Sequence, residues 1–160
     1  RGHIYSVVSY NNFRTNFVNV QPSEFLVRYA FGGHTGDWRE GRAQRFGWGV
    51  GNPPLPVWMK GPQLDGVLPA KESFCAVDAP NVALLALKQA EDGNGLIVRL
   101  WETEGKDTRV RVSMPHFGLL HAFETNLVEE NQRMIGVSGD SFEAHVGPLA
   151  IATVRVMAEI

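Results

Sequence analysis

The sequence contains a single cysteine, Cys75, so it cannot build an internal disulfide framework. It has no Asn-x-Ser/Thr acceptor for glycosylation, and no apolar run approaches the roughly 20 residues that span a bilayer. It also lacks a charged start followed by an apolar segment, which is the pattern of a secretory signal. These absences predict no membrane partner and a reducing, cytoplasmic location.

The sequence also has little net charge, formally −2 over 160 residues. Such a balance gives no long-range attraction for nucleic acid, so nucleic acid is not expected as a partner. Hydrophobic residues make up 44% and charged residues 20%, as in an ordinary globular protein. The chain begins Arg1-Gly2-His3 without a methionine, and we expect it to be a processed product or a piece of a longer protein.

Alternating apolar and polar residues recur along the chain, separated by glycine-rich turns. The Asp-Gly and Asn-Gly pairs of residues 92–95 favour the positive φ angles of a hairpin turn. The pattern predicts an all-β fold, an antiparallel β-sandwich with at most one or two short helical turns. The predicted strands cover residues 25–31, 73–77, 81–90, 96–101, 108–114, 122–128, 133–137, 141–146 and 150–157.

A proline-rich segment at residues 51–69 interrupts this pattern and is typical of a linker or crossing segment. It divides the chain into residues 1–66, which are poor in complete hairpins, and residues 67–160, which form a plausible self-contained sandwich. We expect the second part to be the more stable unit, with the stronger hydrogen-exchange protection.

The stretch FGGHTGDWREGRAQRFGWG, residues 31–49, is the richest in functional side chains. Its carbohydrate-contact candidates are His34, Asp37, Trp38 and Arg42, because arginines interleaved with aromatics can hold a sugar ring. The alternative is an ordered surface loop that packs its own side chains. We favour packing, with Asp37 capping a short helical turn through the Glu40 amide and with Trp38 and Phe46 substantially buried.

Other candidate chemistry is weak. His34 and Asp37 are three residues apart but lack further ligands for zinc, and His116 and His121 are five apart, which points them in different directions. Cys75 lies in an apolar strand pattern and is interpreted as an inert thiol. Glu102 and Glu104 share a strand face at a glycosidase-like separation, but a solvated charge at the Gly105 turn is the simpler interpretation. We assign no catalytic and no metal residue.

Five stretches in order together resemble the C-terminal β-region of glycoside hydrolase family 38, the α-mannosidases. The resemblance runs from Tyr5 to Val156 and includes a Lys-x-Ala-Glu-Asp-Gly hairpin that begins at Lys88. The stretches are YNNFRTNFVNV (10–20), RYAFGGHTGDW (28–38), LPAKESFCAVD (68–78), NVALLALKQAEDGNGLIVRLWETEG (81–105) and TNLVEE (125–130).

The resemblance implies that residues 1–66 end a galactose-mutarotase-like supersandwich and that residues 67–160 form the terminal sandwich. Family members carry zinc and a nucleophilic aspartate in an N-terminal α/β barrel, and nothing in this sequence matches those motifs. The chain is thus expected to be a non-catalytic region without a cofactor of its own. Its expected partner is the catalytic domain of the same polypeptide, through which the parent enzyme meets its carbohydrate substrate. The alternative is a stand-alone carbohydrate-binding or protein-interaction sandwich.

Overall fold

The computed structural model describes residues 3–10, 20, 22–61 and 65–159. The chain divides into two compact units, Arg1–Pro54 and Leu55–Ile160. Among the described residues, all hydrophobic side chains that are fully buried belong to the second unit. The expected domain boundary near residue 66 and the assignment of the first part to a mutarotase-like domain stay predictions.

The second unit is a two-layer antiparallel sandwich. One sheet has the strand order β1-β4-β8-β7 and the other has the order β2-β3-β9-β5-β6. This confirms the predicted all-β class and antiparallel pairing. The strands are β1 Ala76–Val77, β2 Val82–Gln89, β3 Leu96–Glu102, β4 Thr108–Ser113, β5 Gly118–Thr125, β6 Asn131–Ile135, β7 Val137–Ser138, β8 Ser141–Val146 and β9 Ile151–Glu159.

The core lies between the two sheets. Because successive side chains of a strand point to opposite faces, alternate residues of the central strands meet there: Val98, Leu100, Val110, Val112, Phe142, Ala144, Val154 and Val156. Their neighbours on the same strands, such as Arg111 and Glu143, which lie opposite each other in the register, face outward. The alternation seen in the sequence therefore decides which face of each strand is buried.

The hairpin between β2 and β3 has the predicted backbone. Gly93 and Gly95 take φ angles of 76° and 87°, a region that side chains with a Cβ rarely adopt. A Cβ at Gly95 would also lie 2.6 Å from the carbonyl oxygen of Val156. Residues 82–89 before this turn form a strand, so the strand prediction over 81–90 is confirmed against the helix that leucine and alanine propensity would favour.

The first unit differs from the sequence prediction. Its described residues, 3–10, 20 and 22–54, contain the helix α1 at Ala43–Gly51 and no strand, so the predicted strand at residues 25–31 is wrong. Alternation is a local pattern, whereas a strand exists only when another segment pairs with its backbone. The apolar face of this segment is exposed, with Phe25 54% and Phe31 90% accessible. Most of the YNNFRTNFVNV stretch lies outside the described residues.

No helix among the described residues is long and apolar enough to cross a membrane.

Candidate functional site

The turn before α1 is organised by Asp37. Its Oδ1 accepts hydrogen bonds from the amides of Arg39 at 2.8 Å and Glu40 at 3.0 Å, and Glu40 Oε2 accepts from the Asp37 amide at 3.0 Å. This reciprocal pairing is a capping box, and it confirms the predicted bond from the Glu40 amide to Asp37. The amide bonds from Glu40 and Arg39 hold the pKa of Asp37 below its usual value.

A residue in the left-handed conformation lies between the capped turn and α1. The Gly41 amide donates to the Asp37 carbonyl at 2.9 Å, closing the capped turn. Arg42 then takes a φ of 49° immediately before α1 and supplies no side-chain cap. A left-handed conformation is uncommon for a residue with a Cβ, so Arg42 marks a change of chain direction between the capped turn and the helix.

Two glycines of this segment are required by close packing. A Cβ at Gly41 would lie 2.1 Å from Cγ of His34, so the imidazole rests directly on the Gly41 backbone. A Cβ at Gly36, where φ is 75°, would lie 1.8 Å from Glu40 Oε2. These contacts fix His34 and the capping box within the loop, and they agree with the prediction of an ordered loop.

The predicted burial of the aromatic residues is wrong. Trp38 is 41% exposed and Phe46 is 46% exposed. The Arg39 guanidinium stacks over the Trp38 ring at 4.3 Å, so a charged side chain covers one face of the indole instead of the core. A loop can thus be ordered by its capping box and its glycine contacts while its large side chains stay accessible.

Of the four carbohydrate-contact candidates, Asp37 and Trp38 share Arg39 as a neighbour. Asp37 pairs with the Arg39 guanidinium at 3.4 Å, and the same guanidinium lies over Trp38. His34 is held by Gly41, with its Nδ1 3.3 Å from the Thr35 carbonyl oxygen. Arg42 contributes backbone bonds to the start of α1. Whether these exposed residues contact a sugar stays a prediction.

We expect Trp38→Ala to destabilise the loop by about 1 kcal/mol, because the variant loses one cation–π contact and a half-exposed ring. A fully buried indole would cost about 3 to 5 kcal/mol. Hydrogen exchange of the Gly41 and Ala43 amides, which donate to the carbonyls of Asp37 and Trp38, measures the change. Trp58→Ala is the matched control, since Trp58 is 92% exposed. A destabilisation of about 3 to 5 kcal/mol in Trp38→Ala would contradict the exposed position of the ring.

The two glutamates of the predicted carboxylate pair have different environments. Glu102, at the end of β3, is fully buried. Its Oε1 accepts from Asn81 Nδ2 at 2.8 Å and the Glu104 amide at 2.9 Å, and its Oε2 accepts from the amides of Gly105 at 2.7 Å and Leu149 at 2.9 Å. Glu104 pairs with Lys106 at 2.7 Å. Glu102 is thus a structural acceptor that joins three turns, not one of two open carboxylates.

The pKa of Glu102 reflects this arrangement. Burial alone would raise it, but the hydrogen bonds from Leu149, Asn81, Glu104 and Gly105 favour the charged form and lower the pKa to about 2. Glu102 is therefore ionised at any pH where a general acid would need its proton. This chemistry excludes Glu102 as the acid of a glycosidase pair.

A second buried polar cluster lies around Arg155 of β9. Its Nη1 donates to Asp92 Oδ1 at 2.7 Å and to the Asn94 carbonyl at 2.6 Å, and its Nη2 donates to the Glu129 carbonyl at 2.8 Å. Glu129 in turn binds Lys88 at 2.8 Å and the Glu91 amide at 2.8 Å, and Lys88 also pairs with Glu91. The cluster ties the β2–β3 hairpin to β9 and to the β5–β6 loop.

The remaining candidates are also structural. Cys75 is half-buried, and burial raises the pKa of its thiol, as expected of an unreactive cysteine. His116 lies 3.6 Å from Glu72 and packs on Phe74, while His121 packs on Phe123. Within the described ranges, no group of three or more His, Cys, Asp or Glu side chains is placed to hold a metal ion.

The comparison with known families gives a match over part of the chain. Residues 81–154 match the family model of the Glycosyl hydrolases family 38 C-terminal beta sandwich domain. This part of the chain is similar to that domain of glycosyl hydrolase family 38. A search of the curated proteins gives no match to the chain.

The family 38 match extends from the residue before β2 into β9. It therefore includes the Glu102 cluster, the Lys-x-Ala-Glu-Asp-Gly hairpin on which the resemblance partly rested, and the partners of Arg155, while Arg155 itself lies just beyond its end. In the structure Lys88, Glu91 and Asp92 of that hairpin are the residues that contact Glu129 and Arg155. The loop at residues 31–49 lies outside the matched residues, so the match says nothing about its four sugar-contact candidates.

The Arg155 cluster was not predicted from the sequence. The available signal was a charged residue in an otherwise apolar strand, Val154-Arg155-Val156. A buried arginine is almost always paired with hydrogen-bond acceptors, so this pattern indicates a polar cluster. Its partners Asp92, Asn94 and Glu129 lie far away in sequence, so spacing alone could not identify them.

Proposed function

We propose that the chain is the non-catalytic C-terminal region of a family 38 α-mannosidase, which braces or shapes the active site of an N-terminal barrel. The observation that carries the proposal is that residues 81–154 match the family's C-terminal sandwich domain. Hydrolysis of α-mannosidic bonds, the zinc ion and the nucleophilic aspartate belong, in this proposal, to the parent enzyme. Its location is the cytoplasm.

The state of the carboxylates supports a non-catalytic role. A retaining or inverting glycosidase needs two carboxyl groups that are open to the sugar. The best spaced pair here contributes Glu102, whose two oxygens already accept four hydrogen bonds. The described residues also do not fit a zinc site, because no suitable group of ligands is assembled among them. In this proposal the chain carries out no catalytic step itself.

The proposal is tested by activity measurements on the purified 160-residue chain and on the separately produced catalytic region of its parent protein. The chain alone should not hydrolyse an aryl α-mannoside, with or without added zinc. Adding it to the catalytic region should raise the activity or the melting temperature of that region. Hydrolysis by the chain alone, abolished by a chelator, would disprove the non-catalytic role, and no effect on the catalytic region would disprove the bracing role.

The exposure of Trp38 favours a second function, a stand-alone carbohydrate-binding or interaction module. An indole that is 41% exposed offers a surface on which a sugar ring can stack. Titration of mannose and its oligosaccharides into the chain, followed by indole fluorescence, tests this function. Binding that is lost in Trp38→Ala and kept in Trp58→Ala would support it. Equal signals from both variants would exclude Trp38 as the platform.

A further inference from the structure

The β5–β6 loop covers part of the outer face of the five-stranded sheet. Asn126 Oδ1 accepts from the amides of Val128 at 3.1 Å and Glu130 at 2.9 Å, which closes the loop on itself. Arg99 Nη2 then donates to the Leu127 carbonyl at 3.1 Å, and Arg155 holds the Glu129 carbonyl. Bonds from two strands thus keep this loop in one place, so the cavity beneath it is formed in advance.

This cavity is a wide-open depression of about 470 Å³, lined by the loop and by strands β5 and β9, and its volume is within the range of small-molecule sites. Thr125 and Thr153 form its floor, and they are direct partners in the register of β5 and β9. Its rim is apolar and accessible, with Leu127 61%, Val128 74% and Ile151 47% exposed.

The floor carries buried polar atoms that have no partner within the chain. Thr125 and Thr153 are only 7% and 4% exposed, and neither Oγ1 makes a hydrogen bond. Nε of Arg99, which lies beside the residues that line the cavity, has no partner in the chain either. Arg99 pairs in register with Thr153, so the three side chains form one row across β3, β9 and β5, with neighbouring strands about 4.8 Å apart. Buried polar groups normally have a hydrogen-bond partner, and a buried group without one costs stability. The unbonded atoms of this row are therefore expected to bind a ligand.

The chemistry of the row selects the kind of ligand. A threonine hydroxyl can both donate and accept, which matches a ligand hydroxyl group rather than an anion that only accepts. The aliphatic rim suits the C–H face of a ring. A pyranose combines these properties, since it has several hydroxyl groups around an apolar ring face.

We propose that the cavity under the β5–β6 loop is a pyranoside-binding site, with the hydroxyls of Thr125 and Thr153 and the Arg99 guanidinium as its hydrogen-bonding groups. The site belongs to the sandwich itself, and its lining includes none of the candidates at residues 31–49. It goes beyond the proposed function, since a bracing domain needs no sugar site of its own.

The test is a titration of the isotope-labelled 160-residue chain with methyl α-mannopyranoside, followed by NMR. We expect saturable shifts of the Thr125 and Thr153 amides and of the Arg99 Nε–H. The acyclic polyol mannitol and inorganic phosphate are the comparison probes, and both should bind at least about tenfold more weakly. Shifts that follow phosphate, or no shifts with any probe, would overturn the proposal.

Variants separate binding from folding. Thr125→Val combined with Thr153→Val should reduce mannoside affinity about tenfold or more and should not lower the melting temperature, because the removed hydroxyls have no partner in the chain. Thr108→Val is the matched control. Its hydroxyl accepts from Asn81 at 2.8 Å and donates to the Lys106 carbonyl at 3.1 Å, so this change should lower stability and keep binding. Unchanged mannoside affinity in the double variant would refute the site. This outcome does not depend on whether the parent enzyme proves to be an α-mannosidase.

Discussion

Replacing Glu102 with glutamine should destabilise the sandwich by about 3 to 5 kcal/mol at neutral pH. Each carboxylate oxygen accepts two hydrogen bonds. In glutamine an NH₂ group replaces one of these oxygens, and the two donors that pointed to that oxygen lose their acceptor. The loss combines two broken charge-assisted bonds with donors left unpaired in a buried place. Urea unfolding of the 160-residue chain, followed by the circular dichroism of its β-sheets, measures it.

The same group makes a pH-dependent contribution to stability. The folded pKa of about 2 lies below the usual glutamate pKa of 4.5, so the unfolded state binds the proton more readily. The stabilisation is present above about pH 4.5 and is lost as the pH falls towards 2. We therefore expect the difference in unfolding free energy between the native chain and Glu102→Gln to shrink over that range.

Glu143→Gln is the matched control, because the Glu143 side chain is 65% exposed and lies 3.7 Å from Arg111. An exposed ion pair of this kind contributes little, so the change should stay within about 0.5 kcal/mol. A similar small loss at Glu102, or a difference that does not depend on pH, would contradict the assignment of Glu102 as the buried acceptor of three turns.

Glu102 also shows how far the sequence could lead. Its two-residue spacing from Glu104 and the neighbouring Gly105 turn are local features, and they predict the end of a strand correctly. Its burial depends on Asn81 and on Leu149, which is 47 residues away. Neither partner could be identified without knowing that the turns of both sheets meet there.

The difference between local sequence features and long-range contacts also explains which of the other predictions were correct. In residues 81–159 each alternating segment has a neighbour in the described structure, and strands form there. The strand predicted at 122–128 spans Gly118–Thr125, and the one predicted at 133–137 spans Asn131–Ile135. Residues 25–31 alternate as clearly, yet no described segment pairs with them. The capping box of Asp37 and Glu40 was predictable because all its bonds lie within three residues. The exposure of Trp38 was not, because burial depends on what surrounds the loop.

The unpaired hydroxyls of Thr125 and Thr153 were equally hidden from the sequence, where both read as ordinary strand threonines. Their significance depends on the register of β5 against β9 and on the loop that covers them. Candidate sites made of such residues are found only when the pairing of strands is known. The side chains that stand out in the sequence lie instead in the loop at residues 31–49.

Replacing Arg155 with methionine should destabilise the second unit by about 3 kcal/mol or more. Methionine keeps much of the length, but it leaves Asp92 and the carbonyls of Asn94 and Glu129 without their buried donor. The hydrogen bond from Arg155 is also the main cause that lowers the pKa of Asp92. Urea unfolding should show the loss, and Arg155→Lys should recover part of it, because a lysine keeps the charge but not the planar set of donors.

The loss should be concentrated where the loop meets the sheet. Ile97 is completely buried and stands in register with both Lys88 and Arg155, so it lies beneath the side chains of this cluster. In Arg155→Met the Glu91 amide, which donates to Glu129, should lose hydrogen-exchange protection before the amides of the central strands do. Arg133→Met removes an exposed arginine that pairs with Glu124 and should leave this amide protected. Equal loss of protection in both variants would mean that Arg155 does not hold the β5–β6 loop against the sheet.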